Sequence, residues 1–222
     1  MNDRSKNHKP RRRFVPGEQP VGPDDRLDFA CAGCGDGCTE TTAFLTPYDL
    51  WRLARHLGAS TGELLERTEL VLDGSDGPPL LQMAHDPQTG RCLWLDEENR
   101  CRIYPARPLS CRAFPLGIRH APEGDRITKA RTLPRCRGEG RGSQTVRAYL
   151  EAHLTPEDWE WSRAYAALNR LLFPASEKRA KDRAYLAYCL LVLFDLDRLP
   201  GEDFAEKFAA AEARLRRAAE LF

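Results

Sequence analysis

Long apolar runs are absent from this 222-residue sequence. No stretch approaches the roughly 20 consecutive apolar residues that a helix needs to cross a bilayer, so the sequence predicts no membrane-spanning segment. The apolar segment of a secretory signal peptide is also missing. Arg11–Arg13 resemble the start of a twin-arginine export signal, but Pro16, Pro20 and Pro23 occupy the positions where the apolar segment would follow. We therefore expect a cytoplasmic protein.

An excess of charge of either sign is absent as well, since the formal net charge is +1. Such a chain is not drawn as a whole to nucleic acid or to a membrane surface, and its partners must be inferred from local sites. A clear nucleotide-binding loop is also lacking. Gly138–Ser143 is rich in glycine and precedes a predicted helix, but it follows a cysteine motif rather than the strand of a βαβ unit.

Large apolar residues are almost missing from residues 1–25, where basic residues and prolines are common. Such a segment cannot bury enough apolar surface to fold, so we predict a disordered basic tail. Residues 26–142 contain most of the cysteines and are predicted to form a metal-binding domain, on which a helical region, residues 143–222, packs. The expected fold class is α+β and mostly α, with a small cysteine-rich region that includes a β-hairpin and is covered by C-terminal helices.

Capping motifs predict the first two helices. Thr46–Asp49 opens a helix that ends at Gly58, and Ser60 with Glu63 opens a second helix that continues to about Leu72. This pair is similar to a helix-turn-helix, but the glutamates of the second helix would face DNA phosphates. The sequence therefore argues against nucleic acid as a partner.

Three further helices are predicted near the C-terminus, after a cap at Ser143. They run from Thr155 to Phe173, from about Glu177 to Asp197 and from Phe204 to Leu221. The second has a broad apolar face that includes Cys189, which we interpret as a core thiol. These helices are expected to cover the cysteine region or to offer a surface to a protein partner.

A β-hairpin is predicted for Arg91–Leu95 and Arg100–Tyr104, which flank a polar turn. Alternation along its strands would place Cys92 and Cys101 on one face. Pro105 and Pro108 then restart the chain in a turn or short helix that can bring Cys111 back toward the hairpin. Two more strands are predicted, Leu80–His85 and Arg126–Leu133.

Cysteines are the most informative residues of the sequence. In a reducing cytosol, closely spaced cysteines indicate metal ligands or redox groups, with a disulfide framework as the alternative. Four thiolates complete the ligand set of either a tetrahedral zinc ion or an iron–sulfur cluster. Seven cysteines exceed this number, so the others could form a second site, an auxiliary thiol or a redox pair. The predicted ligands are Cys31, Cys34, Cys38, Cys92, Cys101, Cys111 and Cys136.

Basic side chains accompany these cysteines. Guanidinium groups can offset the negative charge of a thiolate site and donate hydrogen bonds to sulfur, and we assign this role to Arg107 and Arg112 in particular. A histidine could complete a site, but each of the five is better explained as an ordinary side chain. The five are His8, His56, His85, His120 and His153.

Three segments together resemble a known family: Phe29–Cys38, Cys92–Pro115 and Cys136–Gly138. They carry an opening Cys-x2-Cys, a later Cys-x-Ile-Tyr, an Arg-Pro, a Cys-Arg-x-Phe-Pro and a Cys-x-Gly. This set is similar to that of the YkgJ-like cysteine-cluster family, bacterial proteins with a zinc- or iron-chelating CxxCxxCC domain. The resemblance covers about residues 29–142 and implies metal binding. Gly37 departs from it, because the family usually has a cysteine there, so one site is expected to be incomplete or differently ligated.

Three functions are compatible with this sequence. The first is a metal protein, with an iron–sulfur cluster favoured over zinc, that transfers electrons or handles metal. The favoured cofactor follows from three cysteines within eight residues, a spacing typical of loops that wrap a cluster. The second is a metal-dependent enzyme, since one branch of the similar family methylates flagellin lysines. The third is a zinc-stabilised adaptor that binds nucleic acid or protein.

Overall fold

The computed structural model describes residues 19–39, 43–71, 78, 80–130, 136–174 and 182–221. Within these segments, eight short strands form three small antiparallel sheets, and seven α-helices pack against them. The α+β fold predicted from the sequence is confirmed.

The first sheet has the strand order β1-β7-β6. Its strands are β1, Gln19–Pro20; β6, Leu116–Ala121; and β7, Gly124–Lys129. The prediction of a strand from Arg126 is confirmed as far as Lys129, whereas residues 131–135 lie outside the described segments. The prediction of a disordered tail is wrong for its last residues, because β1 pairs with β7 and the amide of Val21 donates to the carbonyl of Ile127 at 3.0 Å. Residues 1–18 lie outside the described part.

The second sheet joins the two ends of the cysteine region. It consists of β2, Arg26–Phe29, and β8, Glu139–Thr145. The predicted boundary between residues 142 and 143 therefore falls inside β8. Because β8 continues to Thr145, that residue rather than Ser143 caps the next helix.

The third sheet has the order β3-β5-β4. Its strands are β3, Phe44–Leu45; β4, Thr68–Val71; and β5, Leu80–Met83, which confirms most of the strand predicted from Leu80. β4 replaces the second half of a predicted helix. Residues 68–71 pair with β5, and Gln82 donates to the Glu69 carboxylate at 2.8 Å. This pairing outweighs the helical signal of the capping box farther upstream.

The helices follow their capping residues closely. α1 and α2 begin with the two predicted capping boxes, at Thr46 and Ser60, and α5 begins with a third at Thr155. No helix in the described segments has both the length and the apolar character to cross a membrane. The helices are α1, Pro47–Leu57; α2, Thr61–Leu65; α3, Leu109–Ala113; α4, Val146–His153; α5, Pro156–Leu172; α6, Arg183–Phe194; and α7, Phe204–Ala219.

The predicted β-hairpin at residues 91–104 is wrong in its local form. Instead of a continuous ladder, the segment makes isolated bridges, His85 with Cys92 and Leu95 with Cys101. Its centre is a tight polar turn, in which the Asp96 carboxylate accepts from the amide of Arg100 at 2.8 Å and Asn99 has a positive φ of 63°. These local bonds to a side chain compete with a regular strand ladder.

Two groups of buried side chains form the core. The larger joins α1 and the third sheet to α5, α6 and α7, and it contains Cys189, which is fully buried as predicted. The smaller packs β2 and α3 against α4 around Phe29, Ala113 and Tyr149. The cysteine region and the C-terminal helices therefore share apolar cores.

A buried ion pair ties α3 to α5. The Arg112 guanidinium donates to both carboxylate oxygens of Asp158, at 2.5 and 2.7 Å, and neither side chain is more than 9% exposed. Asp158 also accepts from the amide of Thr155 at 2.7 Å, so one carboxylate caps α5 and neutralises Arg112. Although burial acts in the opposite direction, the bonds from Arg112 hold the pKa of Asp158 below its usual value.

We expect Asp158→Asn to lower the free energy of unfolding by about 3–5 kcal/mol, because it leaves Arg112 buried without its counter-ion. Because the pKa of Asp158 is lowered in the folded chain, the ion pair stabilises the wild-type fold fully above about pH 4, and this stabilisation is lost as the pH falls further. Urea unfolding at pH 7 and at pH 3 measures both effects, and the gap between the two proteins should narrow at pH 3.

Glu212→Gln is the matched control, since it removes an ion pair with Arg216 at 2.6 Å whose two side chains are 35% and 52% exposed. It should change stability by less than about 1 kcal/mol. Equal effects of the two substitutions would contradict the assigned importance of the buried pair.

Candidate metal centre

All seven predicted ligand cysteines line one cavity of about 90 Å³. The cavity has room for a small group, because about 10–15 Å³ on the same measure is enough for one water molecule. Its remaining wall is mainly apolar and includes Phe29, Ala43, Met83, Trp94, Ile103 and Phe114. The structure therefore brings together thiols from four separate segments of the chain.

The first segment is the loop after β2, which carries Cys31, Cys34 and Cys38. A short 3-10 turn, Asp36–Thr39, contains Cys38, whose amide donates to the carbonyl of Gly35 at 2.9 Å. Gly35 has a φ of 70°, and a Cβ atom there would lie 2.2 Å from the carbonyl oxygen of Asn99. Glycine is thus required for this loop to approach the polar turn at residues 96–100.

The second segment brings Cys92 and Cys101 to the same cavity. The amide of Cys92 donates to the carbonyl of Cys38 at 3.3 Å, which joins the two cysteine segments directly. Cys101 is held by its bridge to Leu95. Cys92 and Cys101, which were predicted to share one face of a hairpin, thus line the same cavity through turns rather than a regular hairpin.

The third segment is α3, which carries Cys111. The amide of Leu109 donates to the Asp49 carboxylate at 2.7 Å, and the hydroxyl of Ser110 donates to the carbonyl of Phe44 at 2.8 Å. Asp49 is buried and also completes the capping box of α1. Burial raises the pKa of Asp49, and the bonds from Thr46 and Leu109 act against that increase. The start of α1 therefore sets the position of α3.

The fourth segment places Cys136 next to the first. The amide of Ala30 donates to the carbonyl of Gly138 at 3.1 Å. A Cβ atom at Gly138 would lie 2.6 Å from the ring of Phe29, so only glycine permits this approach. The Cys-x-Gly motif is thus explained by packing against β2.

Burial in the cavity disfavours thiolates that are not neutralised by a cation. Burial raises the pKa of Cys38 to about 12, and the neighbouring Cys92 and Cys101 add to the increase because thiolates repel one another. Cys38 is nevertheless exposed as a residue, which places it at the opening of the cavity. Burial likewise raises the pKa of Cys111 well above its usual value, with Cys38 as the next contribution.

By these electrostatic neighbours, we group the thiols into two sets that overlap at Cys31. Cys38, Cys92, Cys101 and Cys111 affect one another and form the four-thiol set. Burial raises the pKa of Cys136, and the next thiols to contribute are Cys34 and Cys31, which with it form the three-thiol set. Cys31 also interacts with Cys38 and Cys101, so it connects the two sets.

Arg107 lies where a charge-neutralising residue was predicted. It lines the cavity, and its Nη1 is 3.7 Å from the Sγ of Cys31. Its guanidinium lies over the ring of Tyr104, 3.7 Å from the ring centre, and its Nε donates to the carbonyl of Tyr104 at 3.1 Å. The aromatic ring thus holds the cation beside the sulfur.

Arg112 does not take the predicted place beside the thiols. Its guanidinium pairs with Asp158 and also donates to the carbonyls of Arg107 and His153, both at 2.9 Å. The reason is that α5 presents a buried carboxylate on the other side of α3. Arg112 therefore supports the backbone that carries Arg107.

One described histidine, His85, lines the cavity. His120 is an ordinary side chain, as predicted, and its ring nitrogens are 2.6 Å from Asp125 Oδ1 and 2.8 Å from Ser162 Oγ. Ser162 is buried and donates to the carbonyl of Trp159, so this group links the β6–β7 hairpin to α5. His153 bonds to Tyr149, His56 is exposed on α1, and His8 lies outside the described residues.

Trp94 is a wall residue that the sequence reasoning missed. It lines the cavity, and its indole N–H is buried without a hydrogen-bond partner in the described segments. The indole N–H could therefore donate a hydrogen bond to a thiolate or cluster sulfur atom in the cavity. No sequence pattern singles Trp94 out, because residues 92–95 form a turn in which the amide of Leu95 donates to the carbonyl of Cys92 at 3.1 Å.

The donor set fits a thiophilic metal or a cluster. As they stand, no three or more His, Cys, Asp or Glu side chains in the described segments are arranged to hold a metal ion. Binding would therefore have to draw the thiols inward, since a zinc–sulfur bond is about 2.3 Å long. The apolar wall, the Arg107 guanidinium and the Trp94 N–H would all favour thiolates neutralised by metal.

Comparison with known proteins supports metal binding. Residues 30–134 match the CxxCxxCC family model, described as a "Putative zinc- or iron-chelating domain", which confirms the resemblance found in the sequence. "Uncharacterized protein MJ0661" of Methanocaldococcus jannaschii is 32% identical over 93 residues, which are 41% of this chain and 47% of that protein. The match thus spans about half the length of this curated relative. No solved structure matches the chain.

We expect the thiols of the reduced, metal-free protein to react unequally with iodoacetamide at pH 8. Cys38 and Cys111 should react slowly because burial raises their pKa and keeps them protonated, whereas Cys31 is exposed and should react first. The rate at Cys38 should therefore still be rising with pH in the range where an ordinary thiol has already ionised. Mass spectrometry of each cysteine peptide gives the rates.

Cys189 serves as the internal control, because it is fully buried in α6 and should stay unmodified while the chain is folded. Equal rates for Cys31, Cys38 and Cys111 at pH 8 would contradict the electrostatic description of the cavity.

Proposed function

We propose that this chain, whose residues 30–134 match a zinc- or iron-chelating domain, binds an iron–sulfur cluster through cysteine thiolates and serves in electron transfer or metal handling. One observation carries the proposal: seven thiols from four segments line a single, mainly apolar cavity. The cavity contains all seven cysteines of the motif, whereas Cys189, which lies outside the motif, is buried elsewhere in the core. This selective placement argues against coincidence.

The four-thiol set is the proposed ligand set, because four thiolates complete either a cluster or a tetrahedral zinc site. Its members come from a 3-10 turn, a bridged loop and α3, each held by hydrogen bonds that do not involve sulfur. A preformed frame of this kind lowers the cost of ordering the ligands when metal binds. The three-thiol set would then be a second, incomplete site or an auxiliary redox group.

The preference for iron–sulfur over zinc rests on the first cysteine loop and on the cavity wall. Three cysteines within eight residues are typical of cluster-binding loops, although only Cys38 of this loop belongs to the four-thiol set. Arg107 and Trp94 offer N–H groups, and hydrogen bonds to cluster or cysteine sulfur set reduction potentials. When bound, a cluster supplies one-electron chemistry, whereas a zinc ion would supply a structural centre without redox change.

The deciding experiment is purification without oxygen, followed by analysis of iron, zinc and acid-labile sulfide with visible absorbance and Mössbauer spectra. We expect iron, sulfide and visible absorbance. Stoichiometric zinc without sulfide would reject the cluster and retain the metal site, whereas absence of any bound metal after reconstitution with iron and sulfide or with zinc would reject both.

We expect Cys38→Ser and Cys111→Ser each to remove more than about half of the bound metal, because each deletes one member of the four-thiol set. Cys189→Ser is the control and should keep the metal content of the wild type. Elemental analysis and hydrogen exchange over residues 30–134 measure the result. Unchanged metal in the Cys38→Ser/Cys111→Ser double variant would contradict the assigned ligands.

Gly37→Cys tests the three-thiol set. Gly37 lines the cavity, and the nearest atoms to a Cβ there would be those of the Phe114 ring at 3.9 Å, an ordinary contact. The variant should therefore fold and add an eighth thiol to the seven that line the cavity, which we expect to raise the metal bound per chain. Serine is about the size of cysteine but is a weaker metal ligand, so Gly37→Ser should leave the metal content unchanged. An equal increase, or no increase, in both variants would contradict a second site.

A further inference from the structure

The exposed face of α6 is unusually apolar. No charged residue occurs from Ala184 to Phe194, so the helix lacks the polar outer face that a solvated surface helix normally has. Ala184, Tyr188 and Leu191 follow one another at spacings of four and three and share the outward face. Tyr188 is 41% exposed and Leu191 is 55% exposed. This face is therefore an apolar surface that its own chain does not cover within the described segments.

An open groove of about 590 Å³ separates this face from α7. Ala184 and Ala218 have short side chains that leave room for an approaching group. Leu221, just beyond α7, is 85% exposed and adds a second large apolar residue to Tyr188. We call this groove, lined by Ala184, Tyr188, Arg214, Arg217, Ala218 and Leu221, the α6–α7 groove.

Two cations line the α7 side of the groove. Arg214 and Arg217 are exposed, and the described segments show no ion pair for either. The neighbouring Arg216 differs, since it donates to Glu212 at 2.6 Å. The α6–α7 groove thus combines an apolar wall with guanidinium groups that are available to carboxylates.

Two of the segments outside the description are too basic to suit this groove. Residues 175–181 contain Lys178, Arg179 and Lys181 against Glu177, and residues 1–18 are also strongly basic. Either segment would bring positive charge toward Arg214 and Arg217. Electrostatic complementarity instead selects a negatively charged occupant.

We propose that the α6–α7 groove binds an acidic amphipathic helix of a partner protein, with apolar residues on one face and Asp or Glu beside them. Both walls of the groove are helices, whose backbone groups are already hydrogen-bonded, so recognition has to come from side chains. Apolar residues of the partner would pack on Tyr188, Leu191 and Leu221, and its carboxylates would pair with the two arginines. Tyrosine and arginine are the residue types that most often dominate binding energy at protein interfaces.

The shape and charge of the groove favour a protein over a membrane or nucleic acid. A membrane-binding surface inserts a protruding apolar face, whereas Ala184 and Ala218 line a depression. Nucleic acid binding requires many phosphate contacts from a basic stripe, and here two arginines lie near Glu220, which is exposed.

The test uses the full chain and two synthetic helical peptides of about 18 residues, or five turns. Both peptides have leucines on one face, and one carries Glu where the other carries Lys. Affinity is measured by fluorescence anisotropy, and the binding site is located by hydrogen exchange. We expect the Glu peptide to bind and to protect α6 and α7, and the Lys peptide to bind at least about tenfold more weakly.

Two variants locate the interaction. Arg214→Glu/Arg217→Glu should weaken binding of the Glu peptide by about tenfold or more, and Ala184→Trp should block it by filling the groove. The matched control is Arg119→Glu/Arg141→Glu, which makes the same charge change at exposed positions on β6 and β8. Its affinity for the Glu peptide should stay within about twofold of the wild type, since its charges are outside the groove.

Other results would overturn the proposal. Equal affinity for the two peptides, or wild-type affinity in both groove variants, would exclude recognition by this surface. Recruitment to anionic phosphatidylserine vesicles that is lost in Arg214→Glu/Arg217→Glu, without peptide binding, would assign the groove to membranes. Self-association of the wild type in sedimentation that Ala184→Trp abolishes would assign it to a second copy of the chain.

Discussion

Thiols can be buried cheaply as neutral groups, but several thiolates can share a low-dielectric cavity only in the presence of a cation. This constraint explains the main features of the centre. Burial raises the pKa values of Cys38 and Cys111, neighbouring thiols add to the effect, and Arg107 provides one fixed positive charge beside Cys31. A metal ion or cluster would neutralise the thiolates, so the burial that disfavours thiolates on their own would strengthen their bonds to metal.

Two buried carboxylates link helices α1 and α5 to α3, which lines this cavity. Asp49 caps α1 and accepts from the amide of Leu109, while Asp158 caps α5 and pairs with Arg112. Both therefore hold α3, the helix that carries Cys111. The C-terminal helices are thus part of the support of the cysteine centre, and they are more than a separate cover for it.

The sequence predicted the features that depend on local chemistry. Thr46, Ser60 and Thr155 mark helix starts because a cap acts within three residues. The shared location of the cysteines was accessible through motif spacing. The sequence could not reveal that Arg112 faces Asp158 or that residues 68–71 form a strand, because these outcomes depend on partners far along the chain. Trp94 was missed for a similar reason, since an unpaired indole N–H is visible only in three dimensions.

The pairing of β2 with β8 has a consequence for the order in which the cavity can assemble. Arg26 lies opposite Thr145, so this sheet closes a chain segment that includes every cysteine of the cavity. Closing long loops has an entropic cost that grows slowly with length, and here backbone pairing and apolar packing meet that cost. A metal that arrives at the folded chain would therefore meet thiols whose wide separation in sequence no longer lowers its affinity.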